Sequence, residues 1–146
     1  MSKAYRDVNH DPSKTWKTEY DEDAHVVVST IWGRMSDQEL MAAAADRIRL
    51  GNEKDTSEFI LDVSGFKAND RSTFESVFEI VTRSYPEMNK TSEARIAFIP
   101  TLDEDSQWFV DFFKNMCDSR GWVLHEVPDH EAAYAWLKNP PDDTAD

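Results

Sequence analysis

FILDVSGFKANDRSTFES, residues 59–76, passes from an apolar run through an acid and a glycine into a polar turn, and from the turn into a helical period. Phe59 to Val63 is short and apolar apart from Asp62, as a strand buried on both faces should be. Beyond the turn, Phe74, Val77, Phe78, Val81 and Tyr85 recur at helical spacing until Pro86, which ends the pattern. Strand, turn and helix in that order form half of a crossover unit, so this stretch places the chain among the α/β folds if its neighbours repeat the alternation.

They do. Downstream, the spacing predicts a strand over Ala94 to Ile99, a helix over Asp103 to Arg120, a strand over Val123 to Val127 and a short helix over Asp129 to Leu137. Upstream, SDQELMAAAADRIRLG brings Leu40, Met41, Ala44, Ala45 and Ile48 onto one helical face, with Gly51 placed as a C-terminal stop. Before it, Trp16 to Tyr20 and His25 to Trp32 read as an antiparallel hairpin turned at DED and ended by Gly33. The expected architecture is α/β, a central mixed β-sheet of about five strands with an N-terminal hairpin and four helices. Residues 1–15 read as a flexible arm, 16–138 as the domain and 139–146 as a disordered acidic tail.

A chain of 146 residues is long enough to bury roughly 70% of the surface it would expose unfolded. Five Trp and eight Phe supply burial that offsets 31% charged residues and a mean hydropathy of −0.66. With 29 acids against 16 Lys and Arg, the formal charge is −13. Such a field repels phosphate backbones and anionic headgroups, so neither nucleic acid nor a membrane surface is an expected partner. Cys117 is alone, which excludes an intrachain disulfide and any Cys-based zinc site. No secretory pattern follows Met1 and no apolar run is long enough for a span, so the expected compartment is the cytoplasm.

Candidate sites are few. Ser72 stands three residues before Glu75, the spacing of a capping box, and the same pattern recurs at Ser36 with Glu39 and at Thr101 with Glu104. A residue type that recurs wherever a helix begins is meeting a structural demand. Asp62 closes a predicted parallel strand, where open α/β sheets place their sites. A receiver-type phosphotransfer site would also need an acid pair after an early strand and a lysine after the last. HVVVSTIWG and VLHEV offer neither, so Asp62 is expected to accept hydrogen bonds from nearby backbone. Asp103, Glu104 and Asp105 offset the dipole of the helix they open.

The four histidines, His10, His25, His125 and His130, form no ligating pair on a helix, and no nucleophile motif or glycine-rich phosphate loop occurs. No catalytic residue, metal or cofactor is expected, and Cys117 reads as a small core residue. In QWFVDFFKNMCDSRG, Trp108, Phe109, Phe112, Phe113, Met116 and Cys117 spread over an arc of about 180° at 100° per residue. That is one row of rings wider than a sheet-covering stripe. The row either packs under a neighbouring helix or forms an adhesive surface.

Taken in order, the hairpin ending in GRMSDQEL, the strands FILDVSGF and ARIAFIP, and the closing GWVLHEV with AYAWL resemble the STAS/SpoIIAA-like group of small bacterial proteins over roughly residues 16–138. The resemblance implies a β-sheet flanked by helices and a regulatory module that works by binding protein rather than by catalysis. Members of that group are controlled by phosphorylation in an Asp-Ser-Ser-Gly type turn. Here the turn reads Asn69, Asp70, Arg71, Ser72, Thr73, Phe74. Asp70 matches the family acid, whereas Arg71 and Phe74 depart from the serine and small residue of the motif, so the module is expected to lack the usual phosphoswitch.

On this reading Asp62, Ser64, Asp70, Arg71 and Ser72 form an interaction loop for an unidentified protein partner, and a homodimer is expected. SpoIIAA-like proteins are also grouped with the CRAL-TRIO lipid-carrier fold. This adds an alternative, a carrier or sensor of a small apolar ligand. Phe74, Phe78, Trp108, Phe109, Phe112 and Phe113 would line either an interface or a ligand pocket.

Overall fold

The computed structural model describes residues 15–68, 94–119 and 121–138. The expected helix over residues 74–85, residues 1–14 of the N-terminal arm and the acidic tail lie outside the described residues, as do Asp70, Arg71, Ser72, Phe74 and Phe78. Within them the elements are β1 (Trp16–Asp21), β2 (Val26–Arg34), α1 (Asp37–Lys54), β3 (Glu58–Lys67), β4 (Arg95–Ile99), a 3-10 turn (Glu104–Ser106), α2 (Gln107–Ser119), β5 (Val123–Glu126) and α3 (His130–Lys138).

The five strands form one sheet in sequence order. β1 and β2 are antiparallel, pairing Trp16 with Ile31 and Asp21 with Val26. From β2 to β5 every neighbouring pair is parallel. The mixed α/β sheet with its opening hairpin is therefore as the sequence predicts, with three α-helices among the described residues. Parallel steps taken always in the same direction put right-handed crossovers on one face. α1 and α2 accordingly share a face, where Leu40, Ala44, Ile48, Phe109, Phe113 and Cys117 pack onto Val27, Leu61, Val63 and Phe98. α3 lies on the opposite face, with Ala133 and Leu137 over Val28, Ile60, Ala97 and Ile99. Adjacent residues of β3 and β4 go to opposite cores, as the two-residue period of a strand requires. This double burial explains why VVV and FIL run without polar interruption.

α1 begins where its capping box predicts. Glu39 N–H donates to Ser36 Oγ at 3.1 Å and Ser36 N–H to Glu39 Oε1 at 2.8 Å. Its buried stripe is offset from the expected one: Leu40, Ala43, Ala44, Arg47 and Ile48 are buried, Met41 is half-buried and Ala45 is exposed. Its end also differs. Gly51 is not a stop, because the helix runs on to Lys54 and Asp55 takes the left-handed cap with φ 56°. A Cβ on Gly51 would stand 2.8 Å from Phe59 Cζ, so the glycine is there for close approach of strand to helix.

β3 likewise passes the expected end at Val63 and continues to Lys67. Its pairing with β2 shifts register between Thr30–Asp62 and Trp32–Gly65. β3 thus spends one residue more than β2 over this interval, a bulge. Gly65 fits opposite Trp32, whose Cβ would lie only 3.2 Å from a side-chain carbon at that position.

Candidate functional site

The bulge lies at the carboxyl end of β3, beside the ends of β2 and β4. Asp62 organises it. Its Oδ1 accepts both the Ser64 N–H at 2.9 Å and the Ser64 hydroxyl at 2.7 Å. Its Oδ2 is 2.8 Å from His130 Nε2, which enters from the first residue of α3. Burial pushes the Asp62 pKa up, but the His130 and Ser64 hydrogen bonds and the His130 charge together outweigh it, leaving the carboxyl below its ordinary value. The carboxylate is between hydroxyl and imidazole. Nucleophilic serine chemistry needs the imidazole in the middle, touching the hydroxyl. This arrangement instead ties the bulge of one strand to the start of a helix distant in sequence.

A second net fixes the β4–α2 connection against the same strand end. Leu102 N–H donates to the Ser64 carbonyl at 3.3 Å. The buried Thr101 hydroxyl donates to the Phe66 carbonyl at 2.6 Å and accepts Asp103 N–H at 3.1 Å. Thr101 therefore is not the cap of a box with Glu104. Its hydroxyl is taken by β3, and the helical segment starts later, as a 3-10 turn that passes into α2 at Gln107. Ser106 Oγ donates to Asp103 Oδ2 at 2.6 Å and accepts the Ala68 N–H at 2.8 Å. Gln107 Nε2 completes the net by donating to the Thr101 carbonyl at 3.0 Å.

The predicted site residues are placed unequally. Asp62 and Ser64 meet, but as part of β3 and its bulge rather than of a loop. On α2, Phe109 and Phe113 are buried and Phe112 is half-buried against the same core. Trp108 retains 37% exposure while stacking edge-on with Phe109. Cys117 is fully buried, and burial pushes its thiol up to about 12, which keeps it unreactive. Sequence reasoning missed His130 and Leu102 as members of this end of the sheet. The available signal for His130 was its position just after the last parallel strand, since all such connections converge at the carboxyl edge.

Among the described residues no group of three or more His, Cys, Asp or Glu could hold a metal ion, and no helix is long and apolar enough to cross a membrane. A cavity between the sheet, α1 and α2, lined by Ile31, Leu40, Arg47, Leu61, Phe98 and Phe113 among others, has a volume of about 20 Å³. That is room for one water molecule.

The fold is STAS/SpoIIAA-like. The crystal structure of an anti-sigma factor antagonist from Mycobacterium paratuberculosis superposes with a TM-score of 0.53, covering 85% of this chain and 95% of that one at 11% sequence identity. At that identity the likeness is one of fold. No protein-family model and no curated protein matches the sequence.

Proposed function

We propose that the chain is a non-enzymatic, cytoplasmic regulatory module that binds another protein through the carboxyl end of its sheet and self-associates as a homodimer. The observation that carries this reading is the use of the polar groups at that end. Asp62, Ser64, Thr101 and Ser106 are engaged in bonds that brace strand and loop ends, leaving a braced surface in place of a reactive one. The fold shared with an anti-sigma factor antagonist agrees with it. A carrier role is the second reading; the cavity beneath α1 and α2 has room for one water molecule, and Phe74 and Phe78, named for a ligand pocket, lie outside the described residues.

The test is affinity purification of the tagged chain from its native cells under mild cross-linking. One protein should be recovered in near-stoichiometric amount, with its cross-links at the 62–68 and 101–106 segments. Recovery of none, or cross-links confined to the hairpin turn at the other end of the sheet, would sink the reading. Light scattering that found only monomer at high protein concentration would remove the homodimer.

A further inference from the structure

Among the described residues, three large apolar side chains are exposed: Leu102 at 84%, Val123 at 45% and Trp108 at 37%. Leu102 is on the β4–α2 connection and Trp108 is in the first turn of α2. A single exposed leucine on a mobile loop would carry no meaning, since scattered apolar side chains are ordinary on protein surfaces. Leu102 differs in how it is held. The residue before it is clamped by the Thr101 hydroxyl to Phe66, its own N–H is bonded to Ser64, and the residue after it is bonded back to Thr101. The backbone is braced on both sides, so the point from which the side chain projects into water is fixed.

Ordering a flexible loop on binding costs affinity, and a backbone already braced avoids that part of the cost. The neighbours define what would cover it. Glu104 and Asp105 are exposed beside Leu102, and the whole chain carries −13. Nucleic acid and anionic lipid are repelled by this field, and so is a second copy approaching by the same acidic tip.

We propose that Leu102 is the anchor of the interaction surface, inserting into an apolar socket rimmed by Lys and Arg on a partner protein. This rests on the reading of the chain as a protein-binding module. It adds the residue that enters the partner and the chemistry of the surface that receives it. Trp108 flanks the contact, while Glu104 and Asp105 face the basic rim and speed the encounter by electrostatic steering.

The experiment places a photoreactive amino acid at position 102, or at the exposed Glu53 near the far end of α1 as a control, in the full chain in its native cells. Position 102 should give an adduct with another protein, through a peptide rich in Lys and Arg, and position 53 should not. Combining the probe with Glu104→Lys and Asp105→Lys should cut the yield about tenfold, because like charges then face each other. Thermal melting of each variant checks that the fold is kept, which is expected since all of these positions are on the surface. An adduct at 53 but not at 102 overturns the anchor and binding through the carboxyl end of the sheet, and leaves the chain a protein-binding module that uses its other end. An adduct at 102 with a second copy, with an acidic peptide, or with a yield indifferent to charge reversal also overturns it. Failure at both positions overturns the anchor, and the affinity purification then decides separately whether the binding module stands.

Discussion

At the scale of single residues, Asp62 bears the most consequence. One oxygen takes both donors of Ser64 and the other takes His130, so its ionised form is built into the folded state. With a folded pKa held below the unfolded one, the associated stability is present above the unfolded value of about 3.9 and is lost as pH falls through the lower folded value. Asp62→Asn should therefore destabilise the protein by about 1–2 kcal/mol at neutral pH. The gap from the parent should narrow below about pH 4. Urea unfolding across pH 2.5–7 measures both, and a gap that stays constant with pH would contradict the account. Tyr134 gives a second case. Its hydroxyl donates to Asp21 Oδ2 at 2.7 Å, and burial pushes its pKa up to about 12, so it remains a donor across the physiological range. Tyr134→Phe should cost about 1–2 kcal/mol by depriving the buried Asp21 of that donor. The urea midpoint should fall with its slope unchanged.

At the scale of elements, legibility followed the range of the deciding contact. The start of α1 was readable because a capping box is chemistry among four consecutive residues, and both of its bonds form. The end of α1 was not, because Gly51 owes its place to the Phe59 ring on the next strand. Gly51→Ala separates the two explanations. A mid-helix glycine replaced by alanine should stabilise by about 1 kcal/mol from propensity alone. Here the new Cβ would meet a ring that is itself buried in the core, and overpacking of this kind costs about 1–3 kcal/mol. The net change should be destabilising, and a rise in melting temperature would show that the ring has room to yield. The far half of β3 was hidden for a related reason. Ser64 and Gly65 look locally like a turn, yet pairing of Gly65, Phe66 and Lys67 with β2 keeps them in the sheet. The meeting of Asp62 with His130, across 68 positions of sequence, belongs to topology and has no local signal.

At the scale of the whole molecule, a sheet wound toward one face leaves the other, among the described residues, to α3, and α3 is fastened at both ends. His130 binds Asp62 at its start. At its end Arg95 donates to the carbonyls of Trp136 and Leu137 while pairing with Glu58 at 2.7 Å, satisfying the last turn and its dipole. These fastenings are local and partly shielded, whereas the −13 net charge acts across the entire surface. Self-repulsion at that charge opposes the compact state. Raising the salt from 0.01 M to 0.15 M shortens the screening length from about 30 Å to about 8 Å, so most of the repulsion disappears while contacts as close as Arg95–Glu58 are weakened little. The melting temperature should therefore rise with sodium chloride, by roughly 4 °C for each 1 kcal/mol gained in a chain of this size. A melting temperature that fell over the same range would mean that specific ion pairs outweigh the general repulsion. The acidity would then have to be understood as paired charge, in place of the field that keeps anionic partners away.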